Sequence, residues 1–156
     1  YVGVSVRRYR FYAFLIAGLL DLYDASLEVR WLQWACELSD QALSRFYDKE
    51  GGGFYMTAEG HDKRLIARVM EDADNVEPSA SSVMAASLAR LADLTGRKDY
   101  RQAAGKTLRR FGPRMRDAPA ALPAMLSALD LASSKPRQIV IAGDIFGQLG
   151  HFFLKY

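Results

Sequence analysis

Two stretches of this sequence repeat each other at a spacing of 69 residues: Leu22 to Ala35 aligns with Leu91 to Ala104, placing Leu22 on Leu91, Asp24 on Asp93, Trp31 on Tyr100 and Gln33 on Gln102. Each stretch reads as the end of one helix, a tight connection and the start of the next, with an aromatic residue anchoring the second helix. This pattern narrows the choice of fold more than any other feature. A single helical hairpin cannot bury its apolar face, so repeated hairpins stack and share a core.

Apolar residues recur at three- and four-residue steps through most of the chain, the period of a helix with one buried face. A first helix is expected from about Tyr9 to Ala25, with Phe11, Leu15, Gly18, Leu19 and Leu22 on one side. A second runs from about Val29 to Tyr47, carrying Trp31, Ala35, Leu38, Ala42 and Phe46 in phase. A third spans Ser81 to Thr95, with Met84, Leu88 and Leu91 aligned and Gly96 as its stop. A fourth covers about Asp99 to Phe111 with Tyr100, Ala104, Leu108 and Phe111, and a fifth follows Pro119 with Leu122, Met125, Leu126, Leu129 and Ala132.

Two regions depart from the helical period. Asp48 to Gly51 reads as a turn, and the glycines Gly51, Gly52 and Gly53 are expected to supply positive φ there. They lack the Gly-Lys-Ser/Thr ending and the flanking strand and helix of a phosphate loop. Gly52 to Met56 reads as a short strand, with Leu65 to Met70 as its antiparallel partner, giving a β-hairpin near 52–70. A second strand is expected at 138–142, where Gln138, Ile139, Val140, Ile141 and Ala142 lie between Pro136 and Gly143. The fold class is therefore mainly α, with residues 1–134 forming stacked hairpins and 135–156 beginning a strand element or tail.

Composition excludes several partners. The net charge of +3 comes from arginines spread along the chain, such as Arg7, Arg45, Arg90 and Arg137, so no nucleic-acid partner is expected. Arg7, Arg8 and Arg10 ahead of the apolar run Phe11 to Leu20 imitate a secretion signal. That run is too short to span a bilayer and continues into Asp21 and Asp24, so an amphipathic helix and no membrane partner are expected. Cys36 is the one cysteine, which allows no disulfide within the chain and agrees with a reducing, cytoplasmic setting. It is expected to be buried and inert. His61 and His151 are the two histidines and stand far apart, so neither a metal site nor a cofactor is expected.

The segment Glu71 to Val83, together with Leu88, Leu91 and Thr95 to Tyr100, resembles the spermatogenesis-associated protein 20 family, whose bacterial members are YyaL-like. The likeness also takes in Tyr12 to Phe14, Gly18 to Tyr23, Gly51 to Phe54, Ala118 to Pro123 and Arg137 to Asp144. It implies that this chain is the C-terminal part of a longer protein carrying an N-terminal thioredoxin-like domain. It also implies one arc of a six-hairpin α/α toroid, the scaffold of many glycosidases and sugar epimerases. Departures from the family pattern fall in one region: Phe11 stands where the family tends to have an acid, Asn75 and Val76 replace Gly and Ala, and Ser81 replaces Asn.

On that scaffold the carboxylates of Glu71, Asp72 and Asp74 are the candidates for general acid and base work. Glu77, Ser79, Tyr55 and Trp34 are candidates for contacting a carbohydrate. Glycoside hydrolysis needs two carboxyls about 5–10 Å apart across one bond. The competing reading is structural: a solvated acidic loop, with Ser79, Ser81 and Ser82 capping the following helix and Pro78 at its entry. The sequence thus points to a piece of a carbohydrate-related toroid protein without complete catalytic machinery. Its alternatives are a helical-hairpin module that self-associates as a homo-oligomer through exposed faces, and an active sugar epimerase or glycoside hydrolase.

Overall fold

The computed structural model describes residues 3–58 and 68–134, and for residues 3–8 the backbone alone. Five α-helices make up this part: α1 (Gly3–Ser26), α2 (Val29–Arg45), α3 (Ala80–Thr95), α4 (Lys98–Asp117) and α5 (Pro123–Ser133), with a 3-10 turn over Pro119–Ala121. α1 and α2 form the first antiparallel hairpin, α3 and α4 the second. α3 is the central helix, touching α1 on one side and α4 and α5 on the other.

The repeat is reproduced at the level of individual bonds. α3 ends at Thr95 and α4 begins at Lys98, each 69 residues after the end of α1 at Ser26 and the start of α2 at Val29. Ser26 Oγ donates to the Leu22 carbonyl at 2.7 Å and accepts from Glu28 N at 3.3 Å. In the second hairpin, Thr95 Oγ1 donates to the Leu91 carbonyl at 2.6 Å and accepts from Arg97 N at 3.3 Å. The residue between the helices is left-handed in both, Leu27 at φ 56° and Gly96 at φ 71°. A glycine adopts that conformation without steric cost, whereas a leucine does not. Leu27→Gly is therefore expected to raise stability by about 0.5–1 kcal/mol in urea unfolding, and Gly96→Leu to lower it by about 1 kcal/mol. A Leu27→Gly variant less stable than the parent would show that the Leu27 side chain, half-exposed here, makes contacts worth more than the strain.

The core forms in two parts. The larger unites Tyr9, Ile16 and Leu20 of α1, Ala35 and Ala42 of α2, and Met84, Leu88, Leu91 and Tyr100 of the second hairpin. The smaller joins Ala85, Leu108, Phe111 and Met115 to Leu122 and Met125 at the start of α5. An aromatic group seals the base of the first hairpin: Phe54 stacks on Tyr9 at 5.5 Å and tilts against Tyr47 at 5.1 Å, while Tyr9 meets Phe46 at 5.4 Å.

Several expectations are corrected. Of the α1 face expected to pack inward, Leu19 is buried but Phe11, Leu15 and Leu22 are exposed, and the core is met instead by Tyr9, Ala13, Ile16 and Leu20. Periodicity alone could not choose between them, because α1 is apolar on both sides. α4 runs on through Pro113 to Asp117 instead of stopping at Phe111. Proline sacrifices one backbone bond there, but Phe111 and Met115 on either side of it are buried and hold the helix together. α5 begins at Pro123, and Pro119 opens the 3-10 turn before it. Cys36 is half-buried, not fully enclosed. In place of a Gly52–Met56 strand, the described residues hold one antiparallel bridge, Tyr47 to Phe54, and one bond from Met56 N to the Val69 carbonyl at 2.9 Å. Residues 65–67 of the expected partner strand, the strand at 138–142, His61 and His151 lie outside the described residues.

Candidate functional site

The sequence singles out the acidic stretch before α3, and the structure shows what its carboxylates do. Asp74 is the hub. Its Oδ1 accepts from Ser79 N at 2.7 Å and from Ser82 Oγ at 2.8 Å, and its Oδ2 accepts from Ala124 N at 2.9 Å. Its own N–H donates to the Ala121 carbonyl at 2.7 Å. One side chain thus satisfies the starts of α3 and α5, reaching Ala124 across 50 residues of sequence. Amides at a helix start lack partners within the helix, and an anion there is favoured by the dipole. Burial pushes the Asp74 carboxyl up, but the bonds from Ser79, Ser82 and Ala124 outweigh it and hold the group below the usual carboxylate range.

Glu71 serves the same helix end. Its Oε2 accepts from Ala80 N at 2.9 Å, and its other oxygen lies 3.6 Å from Arg10 Nε. Arg10 reaches on to Glu77 at 3.3 Å. Ser79 is the N-cap of α3, accepting from Ser82 N at 3.2 Å, and is buried. Asp72 is exposed on the same loop. Glu71, Asp74, Glu77 and Ser79 are therefore brought together, but mostly by bonds to backbone amides and to Arg10.

Tyr55 and Trp34 belong elsewhere. The Tyr55 hydroxyl donates to Asp48 Oδ2 at 3.2 Å, and the Arg68 guanidinium lies 4.0 Å over its ring. Asp48 in turn accepts from Gly51 N at 3.0 Å and Glu50 N at 3.1 Å, and these bonds, with that of Gly51 foremost, hold its carboxyl below the usual range. Trp34 packs edge-on against Trp31 at 5.4 Å and remains 52% exposed. Cys36 does not have a reactive character: burial pushes its thiol up.

Tyr9 is not among the candidate site residues that the sequence offers, and Ser81, expected to help cap α3, does not do so. The hydroxyls of Tyr9 and Ser81 are buried with no hydrogen-bond partner. Burial pushes the Tyr9 hydroxyl well above its ordinary value; Ser81 opposes the shift and the charge of Glu71 adds to it. No bond of acceptable geometry joins the Tyr9 and Ser81 hydroxyls. A tyrosine in a helix-period apolar run is read as core, and nothing in the spacing says that its oxygen faces a serine two helices away in sequence.

Beside the acidic loop lies an open groove of about 360 Å³ between α1, α3 and α5, lined by Ala17, Ser82, Ser87, Arg90 and Ser127. Arg90 is held across it by Asp21 at 2.8 Å and Asp24 at 2.7 Å. The rest of its lining is apolar, from Val83 and Ala86 of α3 to Ala128 and Leu131 of α5, and the Ser82 and Ser127 hydroxyls already donate to Asp74 and to the Pro123 carbonyl. Among the described residues no group of three or more His, Cys, Asp or Glu could hold a metal ion, and no helix is long and apolar enough to cross a membrane.

Over 133 residues the chain is 44% identical to spermatogenesis-associated protein 20 of Homo sapiens and 45% identical to its counterpart in Rattus norvegicus. Over the same length it is 35% identical to an uncharacterized protein of Caenorhabditis elegans. The match covers 85% of this chain but 17% of each mammalian relative, so the chain spans less than a fifth of their length. No family model matches the chain.

Proposed function

Because this chain belongs to the spermatogenesis-associated protein 20 family along its matched residues, we propose that it is one arc of an α/α toroid in a carbohydrate-related protein. In this reading the acidic loop braces the arc and does not supply a complete catalytic pair. The observation that carries it is the use of Asp74 and Glu71: both carboxylates are engaged by backbone amides at the start of α3, and Asp74 also fixes α5. A general acid must be free to exchange its proton with substrate, and a carboxyl held below its usual range is poorly suited to that. The open groove between α1, α3 and α5 beside the brace is the place proposed for carbohydrate contact, and the exposed carboxylates Asp72 and Glu77 of the loop before α3 are its proposed polar partners. The greater length of the relatives is in keeping with this reading.

The test is a thermal shift against a panel of monosaccharides and disaccharides. A sugar at tenfold excess over its Kd is expected to raise Tm by about 4 °C. Asp72→Ala with Glu77→Ala is expected to remove the shift while leaving the unliganded Tm within about 2 °C, since both side chains are exposed. No release of sugar from aryl glycosides is expected from the chain alone. A panel without any shift overturns the carbohydrate reading, and glycoside turnover overturns the bracing role of the loop.

A further inference from the structure

Arginines occur along the whole sequence, but acids do not. From 100 to 116 there are six Lys or Arg residues and no Asp or Glu, whereas the whole chain carries a net charge of only +3. This stretch is most of α4, and all six cations are exposed on the side of the helix away from the buried Ala103, Thr107, Leu108 and Phe111. Arg101 is neutralised by Asp93 at 2.6 Å and Arg110 by Asp48 at 3.4 Å. The other four, Lys106, Arg109, Arg114 and Arg116, form no ion pair among the described residues. A surplus of this kind on one helix attracts an anionic partner.

Beside Lys106 an open groove of about 360 Å³ runs between α2 and α4. Leu43, Tyr47 and Ala103 give it an apolar floor, and Ser44 and Gln102 stand exposed on its two rims. Side chains tie its two walls together at both ends, so its shape is set in advance. At one end Arg97 pairs with Asp40 at 2.8 Å, and the Tyr100 hydroxyl donates to Asp40 at 2.8 Å. At the other the Tyr47 hydroxyl donates to the Ala103 carbonyl at 3.4 Å and Lys106 Nζ to the Lys49 carbonyl at 2.9 Å. Asp99 in the lining is held by Arg97 at 2.6 Å, which leaves Lys49 and Lys106 to set the charge of the groove. Burial pushes the Tyr47 hydroxyl up, Asp48 adds to this and the charge of Arg109 opposes it, so Arg109 stands close to the same end.

We propose that this groove docks an acidic peptide segment of a partner protein. The segment seats an apolar side chain on Leu43, Tyr47 and Ala103 and sets carboxylates against Lys49, Lys106 and Arg109. An apolar floor with a cationic end fits that chemistry, with the floor giving affinity and the charges giving orientation. Other anionic partners leave part of the surface unmatched. No aromatic or large apolar side chain is exposed on α4, so it offers neither a platform for stacked bases nor a wedge for a lipid surface. A duplex backbone, anionic along its whole length, would meet Asp48, Asp93 and Asp99 on the flanks of the stripe and leave the floor unused. The proposal uses α2 and α4 and none of the groups assigned to carbohydrate, so either reading can fail alone.

The test is fluorescence anisotropy of the whole chain with labelled peptides made of three glutamates, one central residue and three glutamates. A leucine at the centre is expected to bind about fivefold tighter than a serine, because only leucine gains from the floor. Lys49→Gln with Lys106→Gln is expected to weaken the leucine peptide about tenfold. Ser44→Glu adds an acid to the rim at an exposed position and spares the turn that Lys106 holds. It is expected to weaken the same peptide about as much, with Tm unchanged within about 2 °C. Arg116→Gln is the control. It removes a charge about 15 Å along α4 from Lys106, further than exposed charges act in about 0.15 M salt, and is expected to change binding less than about twofold. Equal affinity for the leucine and serine peptides overturns the proposal, as does the absence of binding by both. A loss in Arg116→Gln as large as that in Ser44→Glu also overturns it, because the attraction would then be diffuse. Duplex DNA or phosphatidylserine vesicles bound more tightly than the leucine peptide overturn it as well, and assign the stripe to another class of partner.

Discussion

Gly52→Ala is expected to cost about 4 kcal/mol, enough to unfold a large fraction of a domain of ordinary stability at physiological temperature. Two penalties coincide at this position. Gly52 sits at φ 76°, where a side chain is strained, and a Cβ built there would lie 2.6 Å from the carbonyl oxygen of Lys106 in α4. That oxygen is backbone in the middle of a helix and cannot move aside cheaply. The turn itself is tied down on both flanks: Gly52 N donates to the Asp48 carbonyl at 2.9 Å, Gly53 N to Thr107 Oγ1 at 3.3 Å, and Lys106 Nζ to the Lys49 carbonyl at 2.9 Å. Gly51→Ala is the control. Its φ is not left-handed, and its Cβ would meet the end of the Arg110 side chain, which can swing away, and the Asp48 carboxylate, which its bonds hold, so a loss of about 1–2 kcal/mol is expected, well short of that at Gly52. Urea unfolding of the two variants decides the matter: equal losses would mean that the contact of this turn with α4 is not what requires glycine.

How much of this was legible in the sequence depends on the range of the interaction. The 69-residue spacing announces the hairpins, and the faces of α2 and α4 are readable because each has one dominant apolar stripe, whereas the central α3 is buried on more sides than the stripe of Met84, Leu88 and Leu91 shows. The buried side of α1 is not legible in its period, because two of its faces are apolar and only the position of α3 decides which is inside. The glycine turn was legible as a turn, since Asp48 and the glycines have strong local preferences, but its dependence on Lys106 crosses more than fifty residues. The acidic loop was read in two ways, and its spacing could not separate them. Ser79 as a cap is a local signal and was readable. The bonds from Asp74 to Ala121 and Ala124 are long-range and could not be inferred from a pattern of carboxylates.

Those bonds make Asp74 the other position of large effect. Asp74→Ala is expected to lose about 3 kcal/mol in urea unfolding at pH 7, because it strands the amides of Ser79 and Ala124 and the hydroxyl of Ser82 together. Asp74→Asn keeps one acceptor oxygen and is expected to lose about half as much. The ionised form also sets a pH dependence whose sign follows from the lowered pKa. A carboxyl that is more acidic folded than unfolded contributes its stability fully at pH above the ordinary aspartate value of about 3.9, and loses it as pH falls through the depressed folded value. The parent chain should therefore lose stability in that acid range more steeply than Asp74→Asn does, with the two curves converging at low pH. Hydrogen exchange gives an independent reading: the first turn of α5 should open faster in Asp74→Ala, while the middle of α2, which Asp74 does not touch, keeps its protection relative to global unfolding. If Asp74→Ala loses less than about 1 kcal/mol and α5 is unaffected, the carboxylate is not the brace that joins α3 to α5, and it returns to candidacy for chemistry at the groove beside them.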